Sequence, residues 1–112
     1  MSIQRWSEQI WVAQLANEPA LSEDLIQLKD EAEQADPMPN LVLDLSGVTQ
    51  LNSTNLSQML RLRKLAIDND IRLVLAGPND GIWAIFLTTG LDKVFDFASD
   101  VSTALAGLQI GG

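Results

Sequence analysis

The chain contains no cysteine, no histidine and no tyrosine among its 112 residues. Without cysteine there is no disulfide framework and no thiolate nucleophile. Without histidine the commonest general base and a leading zinc ligand are missing. Neither Gly-x-Gly-x-x-Gly nor Gly-x-x-x-x-Gly-Lys occurs, so no motif offers a phosphate cradle. Positive charge is scarce as well: 7 Lys and Arg stand against 15 Asp and Glu, a formal net charge of −8. Nucleic-acid binding needs clustered cations to meet phosphates, so DNA and RNA are not expected partners, and anionic membrane surfaces are disfavoured for the same reason. No apolar run approaches the roughly 20 residues that span a bilayer, and Met1–Glu8 lacks the basic-then-apolar layout of a secretion signal. These absences predict a cytoplasmic protein that is not an enzyme, uses no metal or cofactor and does not insert into a membrane.

What is present suits one compact domain over residues 1–112. At 46% hydrophobic, the chain has material for a proper core. Ile3–Trp6 and Gln9–Leu15 read as an N-terminal hairpin around Ser7-Glu8. A helix follows Pro19, with Ser22 as its expected cap and Leu25, Leu28 and Ala32 at helical spacing, until Asp36-Pro37-Met38-Pro39 stops it. Leu41–Leu45 is nearly all apolar, as in a central strand covered on both faces. A second helix runs from Asn52 to about Asp68, then a strand over Ile71–Ala76, a short helix over Ile82–Leu87, a strand over Val94–Phe97, and a last helix from Val101 to Leu108, leading into Gly111-Gly112. Strands alternating with helices predict an α/β fold: a small mixed sheet with an N-terminal hairpin and about four helices, packed mainly on one face. Strands 41–45 and 71–76 should be parallel neighbours joined by the second helix.

Acidic residues are spread unevenly. Residues 46–64 hold no acid and three bases, Arg61, Arg63 and Lys64. At about 100° per residue, Ser53, Ser57, Arg61, Lys64 and Asp68 share one face of the second helix. Leu56, Met59, Leu60, Leu62, Ala66 and Ile67 form a broad apolar arc interrupted by Arg63. Asn52 stands where a cap is needed, and Ser53 and Thr54 present hydroxyls at the positive end of the helix dipole. Asp44, at the end of a strand, could imitate a receiver-domain phosphoacceptor. Such a domain also needs an acidic pair and a late lysine, and Asn17-Glu18-Pro19 and Ala76-Gly77-Pro78 occupy those positions.

Three segments in order, Asp44-Leu-Ser-Gly-Val48, Asn52-Ser-Thr-Asn55 and Thr89-Gly-Leu-Asp92 leading to Val94-Phe95, resemble the STAS domain of bacterial anti-sigma factor antagonists. The resemblance covers nearly all of the chain after Ile10. In that family the loop-to-helix junction reads Asp-Ser-Ser/Thr-Gly, and its first hydroxyl is phosphorylated. The resemblance therefore implies Ser53 as phosphoacceptor, with Thr54 as the alternative, and an anti-sigma factor or serine protein kinase as partner. Asn52 keeps the capping ability of the family's aspartate without its charge. Asn55 adds a side chain where the family usually has glycine, which is expected to crowd an approaching kinase.

The third helix is apolar beyond what a core face needs: Trp83, Ala84 and Leu87 accompany Ile82, Ile85 and Phe86. Trp83 and Leu87 are four apart and share one side. An exposed apolar patch of this kind marks a partner surface. The expected docking face thus comprises Asn52, Ser53, Thr54, Asn55, Ser57 and Arg61 with Trp83 and Leu87. A phosphorylation-independent subunit of a larger assembly, transporter-associated or stress-signalling, is the alternative function, and a small-ligand module is a third.

Overall fold

The computed structural model describes residues 1–111; Gly112 lies outside the described residues. Its elements are β1 (Ser2–Ser7), β2 (Ile10–Gln14), α1 (Ala20–Gln34), β3 (Asn40–Asp44), α2 (Ser53–Asp68), β4 (Leu73–Ala76), α3 (Asp80–Thr89), a 3-10 turn at Leu91–Lys93, β5 (Asp96–Ala98) and α4 (Val101–Gly111). The five strands form one sheet in the order β1-β2-β3-β4-β5. Strand β1 pairs antiparallel with β2, and every later pair is parallel. As the sequence predicts, β3 is the central strand, and α2 joins the parallel neighbours β3 and β4.

Side chains alternate across the strands, and residue type follows the alternation. Trp11, Ala13, Leu15, Leu41, Leu43, Leu45, Leu73 and Leu75 point to one face. There they meet Leu21, Leu25 and Leu28 of α1, Met59 and Leu62 of α2, and Ile82 and Phe86 of α3. Ile10, Val12, Val42, Val74 and Ala76 point to the other face and meet Ala104 and Leu108 of α4, with Ala98, Val101 and Leu105 at the margin. Leucines thus fill the thick three-helix side, and smaller, β-branched residues lie under the single helix. This is the expected sheet with its helices mainly on one face.

Several local readings are corrected. The hairpin turn is Glu8-Gln9, because Ser7 pairs with Ile10, and the register shifts between Arg5 and Ser7, leaving Trp6 unpaired and 39% exposed. Ser22 does not cap α1. The helix begins at Ala20, and the Glu18 carboxylate takes the Ser22 N–H, one of the orphan donors of the first turn, at 2.7 Å. The last strand is shifted to Asp96–Ala98, because Val94 and Phe95 donate their N–H groups to Leu91 O and close the 3-10 turn. Strand β4 begins at Leu73 instead of Ile71.

Candidate functional site

Strands β2, β3 and β4 run parallel, so the loops leaving their C-terminal ends and the starts of α1, α2 and α3 meet at one end of the sheet. The loop before α2 is fastened on two sides. Asn17 Oδ1 accepts the N–H groups of Thr49 at 2.8 Å and Gln50 at 3.2 Å, while Asn17 Nδ2 donates to Thr49 Oγ1 at 2.8 Å. From the opposite side Asn79 Nδ2 donates to Val48 O at 3.0 Å, and its Oδ1 caps α3 by accepting the Ile82 N–H at 2.9 Å. Gly47 lets the loops approach closely: a Cβ there would stand 3.1 Å from Leu15 O.

On that platform α2 begins with a reciprocal cap. Asn52 Oδ1 accepts the Asn55 N–H at 2.8 Å, and Asn55 Oδ1 accepts the Asn52 N–H at 3.0 Å. Asn55 is fully buried. Its Nδ2 donates to Ser22 Oγ at 3.2 Å, and Ser22 Oγ donates to Glu18 Oε2. Gln58, also buried, donates from Nε2 to Ser22 O at 3.2 Å. The expectation that Asn55 would project into an approaching kinase or dock a partner is therefore corrected. Its side chain faces inward and holds the two helix starts together. Four residues before Met59 and seven before Leu62, it lies on the core side of the helical wheel, a signal the sequence does carry.

Ser53 and Thr54 occupy the first two positions of α2, and both are exposed. Neither makes a side-chain hydrogen bond among the described residues, and the first turn carries no acid. Ser57 and Arg61 continue the exposed face; Lys64 is paired with Asp68 at 2.7 Å, whereas Arg61 makes no ion pair among the described residues. Leu60 and Ile67 flank this stripe at 38% and 60% exposure. Arg63, which breaks the apolar arc, donates from Nε to Val94 O at 2.7 Å. The nearest negative charge joined to this end through hydrogen bonds is Glu18. The Ser22 hydroxyl first, then the Ser22 N–H, hold its carboxyl below the usual glutamate range.

The two α3 residues differ in setting. Trp83 is half-buried, its ring edge-to-face with Phe97 at 4.9 Å and 85°, and it packs against the main core. Leu87 is 50% exposed. Asn52, Ser53, Thr54, Ser57 and Arg61 share one surface of α2, while Leu87 lies about two turns into α3, roughly 10 Å along that axis. The sequence gives Asn17, Glu18 and Ser22 no part in this site: they stand far from α2 in the chain, show no motif, and Ser22 reads only as a cap for α1.

The STAS domain family model matches residues 6–104. The chain belongs to the STAS domain family. No curated protein matches it in sequence. Among solved structures, a Thermotoga maritima protein described as a candidate anti-sigma factor antagonist superposes with TM-score 0.81 at 16% identity, over 96% of this chain and 93% of that one. A chain from the molecular architecture of the stressosome, described as a signal integration and transduction hub, gives TM-score 0.77 at 21% identity, covering 96% of each chain. A sulfate transporter family protein from Wolinella succinogenes gives 0.79 at 14%, over 90% of this chain and 85% of that one. At these identities the likeness is one of fold. No helix among the described residues is long and apolar enough to cross a membrane.

Proposed function

We propose that this STAS domain is a regulatory protein that binds an anti-sigma factor or serine kinase partner under control of phosphorylation at Ser53. One observation carries the reading. The Ser53 and Thr54 hydroxyls are exposed at the start of α2, while the capping of that helix is done by Asn52 and Asn55 alone. Modification of Ser53 therefore need not uncap the helix. A phosphate there adds about −1.5 to −2 charge at the positive end of a helix dipole, which the fold tolerates. The same charge faces an approaching partner, repels acidic groups on it and occupies the space a docked side chain would fill. The phosphoryl group comes from the partner kinase, because the chain carries no nucleotide-binding motif. The docking face is the stripe Asn52, Ser53, Thr54, Ser57 and Arg61, extended by the exposed Leu87.

Peptide mapping after incubation with the cognate serine kinase tests the reading. Phosphate is expected on Ser53, and Ser53→Ala is expected to remove it. Phosphate confined to Thr54 would move the switch by one residue, and phosphate chiefly on Ser57 would overturn the assignment.

A second reading, a phosphorylation-independent subunit of a larger assembly, is favoured by the uncharged Asn52–Asn55 cap, which has no acid beside the acceptor. Solved relatives in fold from the stressosome and from a sulfate transporter family protein are consistent with such a role. Absence of phosphate on the chain with any kinase encoded beside it would favour this reading.

A further inference from the structure

We propose that Glu18 and Ser22 belong to the same switch as Ser53, as the groups that sense its charge and carry the response into α1; this rests on reading Ser53 as the phosphoacceptor. The first turn of α2 has no acid of its own. The carboxylate joined to it through hydrogen bonds, by way of Ser22, is Glu18 in the loop that enters α1. Glu18 accepts the Ser22 N–H at 2.7 Å and the Ser22 hydroxyl, and Ser22 Oγ accepts from Asn55 Nδ2 at 3.2 Å. Asn55 Oδ1 in turn holds the Asn52 N–H at 3.0 Å, and Ser53 is the next residue. Both side-chain hydrogen bonds that join α1 to α2 among the described residues end on Ser22, one from Asn55 and one from Gln58. Ser22 is therefore the joint between the two helices, and Glu18 fixes its orientation.

A phosphate on Ser53 changes the balance at this joint. Its oxygens take N–H groups of the α2 first turn that the Asn52 cap leaves free. Its charge opposes the ionised Glu18 carboxylate across a few hydrogen-bonded groups. Glu18 is exposed and held by hydrogen bonds alone, so the added charge displaces it outward. When it swings out, Ser22 loses the acceptor for both its N–H and its hydroxyl. The first turn of α1 then loosens, and the surface altered by phosphorylation extends from α2 to the α2–α1 corner. The stripe on α2 is one half of the signal, and the start of α1 is the other.

The test uses the isolated chain of residues 1–112, with neither kinase nor partner, and reads the Ser22 backbone amide by NMR in Ser53→Asp, Glu18→Ala, Glu18→Gln and the Ser53→Asp/Glu18→Gln double variant. A hydrogen bond to a carboxylate shifts an amide proton strongly. Ser53→Asp is expected to move the Ser22 amide more than half the way to its position in Glu18→Ala. In the Glu18→Gln background, which keeps an acceptor oxygen without the charge, Ser53→Asp is expected to move it much less. A Ser22 amide that moves less than halfway in Ser53→Asp overturns the proposal, and so does an equal movement with and without the Glu18 charge. Because no kinase takes part, failure here leaves the assignment of Ser53 standing. Failure of phosphate mapping, conversely, leaves the Glu18–Ser22 coupling measurable.

Discussion

Asn55 makes three hydrogen bonds in complete burial, to both ends of the Asn52 peptide-and-amide pair and to Ser22. Asn55→Ala removes the two made by its side chain and leaves the Asn52 N–H without an acceptor. A loss of about 1–3 kcal/mol is expected, measured by chemical denaturation. Asn52→Ala removes only the exposed half of the cap and should cost about 1 kcal/mol. Trp83 and Leu87, which sequence spacing treats as a pair, separate under truncation. Trp83 packs half-buried on Phe97, so Trp83→Ala is expected to lower stability by about 2–3 kcal/mol, below the 3–5 of a fully buried tryptophan. Leu87→Ala, at a half-exposed position, should change stability by less than about 1 kcal/mol, which makes it the cleaner probe of the docking face. If Leu87→Ala binds the partner as well as the unmodified chain does, α3 has no part in docking.

At the scale of elements, much of the fold is legible in the sequence because hydrophobic period and burial agree. Leu41–Leu45 is apolar except for Asp44 because both faces of β3 are covered, and the 3.6-residue spacing of Met59, Leu62 and Ala66 matches the buried face of α2. Element ends are less legible, since long-range polar contacts set them. The start of α1 depends on Glu18 reaching forward to Ser22, and the loop before α2 depends on Asn17 reaching 32 residues along the chain to Thr49. The exposed Ser53 and Thr54 are legible from the capping position, whereas the partners of Asn55 are not. Acid titration probes the α1 start. Hydrogen bonds from Ser22 lower the Glu18 pKa in the folded chain, so the stabilisation is present above the unfolded glutamate value. It is lost as pH falls through the lower folded value. As pH falls through that folded value the first turn of α1 should loosen, seen as a shift of the Ser22 amide, and Glu18→Gln should abolish that transition.

The whole molecule is a sheet loaded unequally, with three helices over one face and α4 alone over the other. Leu108 and Ala104 are the buried contacts of α4, and Leu108→Ala is expected to cost about 2–4 kcal/mol, measured by thermal or chemical unfolding. The heavier face brings the starts of α1, α2 and α3 to one end and leaves the Ser53 hydroxyl exposed there. A chain of net charge −8 that gains a further phosphate should show salt-dependent inhibition, strongest at low ionic strength. On the function proposed, phosphate on Ser53 controls a protein contact. The most direct measurement is a calorimetric titration of the proposed anti-sigma factor or serine kinase partner against the unmodified and Ser53-phosphorylated proteins. Phosphorylation is expected to weaken binding by at least about tenfold, equivalent to about 1.4 kcal/mol. Equal affinity of the two forms would contradict control by Ser53 phosphorylation.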